Sequence, residues 1–125
     1  MIKIVVLIKK RADMTTEQFR AYYEDSHTAH ALRHLGHLFV EYRRNYPVFT
    51  ARVDGKNVEG STDRLAYDVI TEIVLRDQAA LDEYFRILNQ PDVSKFLNED
   101  VEKFADSAAS WFTICEVEQH KDSAR

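Results

Sequence analysis

The chain has 125 residues, 45% of them hydrophobic and 30% charged, and a formal net charge of −4 at pH 7. That length holds one domain with a core of its own, and the balance is that of a globular protein. A negative charge without a basic stripe argues against nucleic acid, and no apolar run nears the ~20 residues of a membrane span.

Ile2 to Ile8 is a short β-rich run, apolar on both faces, as in a strand covered from both sides. It is too short for a secretory signal and lacks a small-residue cleavage site. Cys115 is the single cysteine, so an internal disulfide is ruled out and a cytoplasmic location is expected. Thr15 with Gln18 three residues on matches a capping box, so a helix should begin near Thr16. Its apolar face is read as Phe19, Tyr22, Tyr23, Ser26/His27 and His30, at helical spacing, until Gly36 stops it. Leu38 to Tyr46 reads as a second strand. Val48 to Thr62 carries the turn signals Asp54-Gly55 and Gly60-Ser61 and reads as a long loop.

Leu65 to Leu75 is the third strand, with Tyr67, Val69, Thr71 and Ile73 on one face. Asp77 caps a helix running through Leu88, whose inner stripe is Leu81, Tyr84, Phe85 and Leu88. A further helix covers about Asp92 to Ala105, presenting Val93, Phe96, Leu97, Val101 and Phe104. Ser110 to Val117 is a fourth strand. Residues 1–118 are thus expected to form a single domain, with 119–125 as a polar tail.

The order β-α-β-β-α-(α)-β predicts an α+β, ferredoxin-like fold: a four-stranded antiparallel sheet with helices on one face. The first strand is apolar on both sides, so the uncovered sheet face must meet something. A second copy of the same sheet, in a homodimer, is the simplest candidate.

Four of the five histidines lie within eleven residues: His27, His30, His34 and His37. Imidazole changes charge near neutral pH and is also a common metal ligand. His27, on the inward stripe, is the leading candidate for a catalytic base, with the alternative that it bonds a backbone carbonyl at a helix end. His30, one turn on, is placed to orient His27 or touch substrate. His34 and His37 flank Gly36 and read as part of the turn, and His120 as inert. His27, His30 and His34 at i, i+3 and i+7 can share a helical face, but no acidic residue joins that stripe, and no metal is expected. With three glycines and no glycine-rich loop, no nucleotide cofactor is expected either.

Tyr22, Tyr23, Tyr67, Tyr84, Phe85 and Trp111 form a dense aromatic set. Their rings and hydroxyls suit a phenolic or polyketide-like ligand, although a core tyrosine with its hydroxyl at the surface is commoner. Tyr67 is the candidate for a catalytic hydroxyl, and Tyr23, Tyr84 and Trp111 are the candidates for binding. Asp68 and Glu72 lie four apart on the third strand and read as a structural pair, with Arg43 or Arg44 as partner. Cys115 reads as a core residue.

The run Lys9-Lys10-Arg11, then Met14-Thr-Thr-Glu-Gln-Phe19-Arg20-Ala-Tyr22-Tyr23-Glu24-Asp25-Ser26-His27, resembles the opening of EthD-domain proteins. Tyr67-Asp68-Val-Ile-Thr-Glu72 resembles their third strand, and Asn98-Glu99-Asp100-Val-Glu-Lys-Phe104 their acidic segment before the last strand. This chain departs from the pattern at His30, where an apolar residue is usual. The resemblance implies the dimeric α/β-barrel fold and cofactor-free chemistry on a small hydrophobic, aromatic or polyketide-like molecule. A lyase or cyclase of dehydratase type is the first expectation, with His27 abstracting a proton next to a carbonyl while Tyr67 or Tyr84 stabilises the enolate. The alternatives are a cofactor-free monooxygenase of an oxidisable phenol and a non-catalytic small-molecule-binding domain.

Overall fold

The computed structural model describes residues 1–55 and 66–120. Strand β1 spans Ile2–Ile8, β2 Phe39–Asn45, β3 Val69–Leu75 and β4 Trp111–Cys115. They form one antiparallel sheet in the order β2-β3-β1-β4, with β1 and β3 central. This is the expected ferredoxin-like arrangement. Of the expected loop between Val48 and Thr62, and of Leu65, residues 56–65 lie outside the described residues, as do 121–125 of the tail.

Side chains alternate across the sheet, so every second residue of each strand faces the helices. Ile4 and Ile8 of β1, with Val69, Ile73 and Leu75 of β3, are buried there. On the other face, Val5, Leu7, Ile70, Glu72, Trp111 and Thr113 have no helix over them among the described residues. All of β4 except Cys115 is exposed.

The capping box forms as read. Thr15 Oγ1 accepts the Gln18 N–H at 3.1 Å, and Gln18 Oε1 accepts the Thr15 N–H at 2.9 Å. Helix α1, Thr16–Tyr22, starts there, and such a cap contributes about 1 kcal/mol. Helix α3, Gln78–Leu88, begins at Asp77, whose carboxylate accepts the Ala80 N–H at 2.9 Å. Helix α4, Pro91–Glu102, has Pro91 in its first turn, where the missing N–H costs no bond.

The first helix departs from the expected phase. Between α1 and α2, Thr28–Leu35, lies a π-helical turn, Tyr23–His27. The buried positions run Phe19, Tyr23, Thr28, Ala31 and Leu35, spaced four, five, three and four. At 3.6 residues per turn, the five-residue step from Tyr23 to Thr28 would swing Thr28 roughly 140° off the buried face. One wide turn, with its i→i+5 bonding, absorbs that excess, so both halves keep one side against the sheet. The regular period had assigned the sheet-facing stripe to His27 and His30. It belongs to Thr28, Ala31 and Leu35, and the histidines turn toward α4.

Two clusters fill the space between sheet and helices. Ile4, Leu35, Ile73, Leu75, Leu81 and Tyr84 belong to one. Ile8, Phe19, Tyr23, Val69, Phe104 and Ala105 form the other, and the candidate site grows from it.

Candidate functional site

His27 lies on the second cluster, its imidazole stacked against Tyr23 at 4.9 Å between centroids and tilted against Phe104 at 4.8 Å. These rings fix the plane of the imidazole. Its Nδ1 is 2.8 Å from Oδ2 of Asp100, a residue of α4 with 2% of its side chain exposed. The other carboxylate oxygen, Oδ1, accepts the Tyr22 hydroxyl at 2.5 Å. An ionised carboxylate only accepts hydrogen bonds, so Nδ1 must carry the proton it shares, and the lone pair sits on Nε2. Nε2 bonds no described residue. It is not an occluded atom, for 17% of the side chain is exposed.

Two influences oppose each other on this imidazole. Burial disfavours the cation, and the Asp100 carboxylate favours it. Burial is the stronger, and the pKa of His27 is lowered, with the neighbouring His30 pushing the same way. Near neutral pH, His27 is therefore an uncharged imidazole of defined tautomer, able to accept a proton at Nε2. The Tyr22 hydroxyl is pushed up to about 12 by burial and by the bond to Asp100, so it stays a donor.

The π turn is tied on two further sides. The Tyr23 hydroxyl, buried, is 2.7 Å from Thr71 Oγ1 of β3. Glu24 accepts from Arg44 Nε and Nη2 at 3.1 and 2.9 Å, and from the Tyr46 hydroxyl at 2.5 Å. The Arg44 bonds, foremost, hold the Glu24 carboxyl below its usual range. Arg20 lies 4.2 Å above the Tyr46 ring.

The remaining candidates scatter. His30 packs edge-on against Phe96 of α4 at 4.8 Å, and His34 meets the same ring at 5.9 Å, while His37 is exposed. No group of three or more His, Cys, Asp or Glu among the described residues is arranged to hold a metal ion. Tyr23 is core, its hydroxyl engaged by Thr71. Tyr67 is half-buried and makes no hydrogen bond or ring contact with the described residues. Tyr84 belongs to the other cluster, against Phe85, and burial pushes its hydroxyl up to about 12. Among the described residues, no hydrogen bond or ring contact joins Tyr67 or Tyr84 to His27.

Trp111 must be moved from the expected binding set to the opposite face. It pairs with Leu7, and its neighbour Phe112 is the one that reaches Phe85 on the helix side. Strand alternation therefore turns Trp111 away, 63% exposed. Of the expected partners of Asp68 and Glu72, Arg43 lies directly opposite Glu72 across the β2–β3 pair and helps hold its carboxyl below the usual range, after the larger effects of Lys3 and Asn45. Lys3 Nζ donates to Glu72 at 2.9 Å and Asn45 Nδ2 at 3.1 Å, while Arg44 is taken by Glu24. Asp68 Oδ2 accepts the Lys10 N–H at 2.8 Å and lies 3.5 Å from Lys9 Nζ, and its buried Oδ1 has no hydrogen-bond partner.

Sequence reasoning missed Asp100. It lies 73 positions from His27, inside a segment read only as the family's acidic stretch before the last strand, with no periodicity linking the two. The available signal was Asp100 four residues before Phe104, which puts a carboxylate beside the aromatic that covers the histidine.

A model of the EthD domain matches residues 11–108. A search of curated protein sequences found no match. Among solved structures, an EthD-like protein from Ralstonia eutropha JMP134 superposes with a TM-score of 0.64 at 15% identity, over 99% of this chain and 96% of that one. An EthD family protein from Bacillus halodurans C-125 gives a TM-score of 0.62 at 17% identity, over 94% and 99% of the two chains. A dimeric protein of unknown function from Bacteroides fragilis, described as ferredoxin-like, gives 0.52 at 12% identity, over 93% and 95%. At such identities the structures carry the fold alone. Among the described residues, no helix is long and apolar enough to cross a membrane. The domain match covers most of the sequence, in the frame that contains both His27 and Asp100: the chain belongs to the EthD family.

Proposed function

We propose that this protein is a cofactor-independent lyase or cyclase in which His27 is the general base. The observation that carries the reading is the buried Asp100 carboxylate bonded to Nδ1, which leaves Nε2, bonded to no described residue, as the acceptor of a side chain that is 17% exposed. In the proposed step, Nε2 takes a proton from the carbon next to a carbonyl, and the C–H electron pair moves onto the carbonyl oxygen as an enolate. The enolate then expels a β-hydroxyl group, which leaves as water with the proton returned from His27, or its α-carbon attacks a second carbonyl to close a ring, the C=O π pair moving onto that oxygen, which takes the proton from His27. A positioned base contributes roughly 10²–10⁴ in rate.

The substrate class is the one the EthD resemblance implies, a small hydrophobic carbonyl compound, aromatic or polyketide-like; the buried rings of Tyr23 and Phe104 hold the plane of the base. Tyr67 is the proposed donor to the enolate oxygen. Its hydroxyl is taken by no described residue, and it lies two positions before Val69, which packs in the same cluster as Tyr23 and Phe104. A homodimer and a cytoplasmic location complete the proposal.

Proton abstraction is testable without knowing the full reaction. Aryl ketones bearing a β-hydroxyl are incubated with the protein in D2O, and loss of the α-proton signal is followed by NMR. The wild-type protein is expected to accelerate exchange, and His27→Ala to abolish the acceleration. Equal exchange rates for the two proteins would overturn the reading.

A further inference from the structure

The π turn is the one irregularity in the first helix, and His27 is its last residue. We infer that Thr28 is a positioning residue for His27, acting by holding that turn open. The catalytic meaning of this role rests on the proposed function, but the geometry does not.

Thr28 is buried and gives Tyr23 two hydrogen bonds. Its backbone N–H closes the wide i→i+5 turn, and its Oγ1 donates to the same Tyr23 carbonyl at 2.9 Å. The carbonyl oxygen has two lone pairs, and in this turn both find a donor on one residue. A wide turn is rare because its backbone bonding is inferior to that of an α-helix, so a second donor on the same carbonyl shifts the balance. Tyr42 of β2 lies beside Thr28 on the sheet side.

Other elements make the turn's shape consequential. Tyr23 is pinned to Thr71 of β3, Glu24 to Arg44 of β2, and His27 to Asp100 of α4. If the turn narrowed to α geometry, the residues after Tyr23 would rotate by about 100° for the one residue displaced. The α1 side cannot follow, since Phe19 and Tyr23 are locked in the core. Nδ1 would then leave Asp100, and the tautomer would no longer be fixed. The groups facing the imidazole are Asp100 from α4, Phe104 beyond it, and Tyr23 and His30 from its own helix, with Tyr22 on the far oxygen of Asp100.

The test uses the full chain labelled with nitrogen-15 on histidine, reading the tautomer and titration of His27. In the wild type and in Thr28→Ser, the proton should sit on Nδ1. Thr28→Val, which keeps the shape without the hydroxyl, should give a mixture of tautomers and a shifted titration midpoint, with Thr28→Ala substituting if the Val variant does not fold. Tyr42→Phe, which spares the hydroxyl-to-carbonyl bond, should leave the tautomer unchanged. The inference is overturned if a folded Val or Ala variant keeps the wild-type tautomer and titration. It is overturned equally if neither folds while Thr28→Ser does, because the hydroxyl then serves folding as a whole. Since no readout depends on turnover, failure here is separable from failure of α-proton exchange.

Discussion

Tyr22 and His27, five residues apart on one helix, bind opposite oxygens of the same buried carboxylate on another. The pairing ties the first helix to α4 and gives each partner a different task. His27 is oriented by Asp100, while Tyr22 holds Asp100 itself in place.

Replacing Asp100 by Asn is expected to lower α-proton exchange by about 10²–10⁴, because the amide no longer enforces the Nδ1–H tautomer. Asp100→Ala should also destabilise the fold, by about 1–3 kcal/mol for each polar group left without its partner. Tyr22→Phe removes a single donor and is expected to cost about 1 kcal/mol, with a smaller loss of exchange. Urea denaturation alongside the exchange assay separates these effects. Equal activity losses for Asn and Phe would contradict the division of roles.

The pH dependence follows from the lowered pKa of His27. The unfolded chain takes up its proton near 6.5, whereas the folded chain does so at a lower pH. Stability from this group is therefore complete above 6.5 and declines as pH falls toward the folded value. Activity should likewise persist below pH 6.5, since the base form survives there. Denaturation midpoints from pH 7.5 to 5 should show a slope in the wild type that is reduced in His27→Gln, and an unchanged slope would count against the assignment.

Glu24→Gln should destabilise the chain by roughly 1–2 kcal/mol, since Arg44 and Tyr46 both lose a charged acceptor in a partly buried setting. Arg44→Lys should restore little, because an ammonium cannot reproduce the two parallel bonds to the carboxylate. Thermal melts of the two variants check this, and a fully stable Arg44→Lys protein would show that charge alone suffices.

A homodimer is expected through the uncovered sheet face, where Leu7, Ile70 and Trp111 have no helix over them among the described residues. Sedimentation should give twice the 14.6 kDa chain mass. Trp111→Glu should shift the species to a monomer without unfolding it, as the side chain is 63% exposed in the single chain. A dimer that survives this change uses another surface.

The fold was legible because its signals are local. Thr15 with Gln18, and Asp77 before its helix, are caps written within four residues, and strand alternation in β1 and β3 needs only a period of two. The site was legible only in part. His27 stood out by chemistry and by family resemblance, but its direction did not, because a regular period runs straight through Tyr23 and misses the extra residue. The five-residue gap from Tyr23 to Thr28 is visible once burial is known, whereas sequence alone offers Tyr22, Tyr23, Ser26 and His27 as equally plausible positions. Asp100 required tertiary structure, since nothing local joins α4 to the first helix. Trp111 was misplaced because its position in β4 fixed its face only after the register with Leu7 was known.

The uncovered face is unequal from one side of the sheet to the other. Arg43 and Asn45 on β2, and Glu72 on β3 with Lys3 reaching across, form a polar strip. Leu7 and Val5 on β1, beside Trp111 on β4, form an apolar one. Drying the polar strip would strip water from an ion pair, whereas drying the apolar strip is favourable. Whatever seats on this sheet will therefore tilt toward β4, leaving a wet seam along β2.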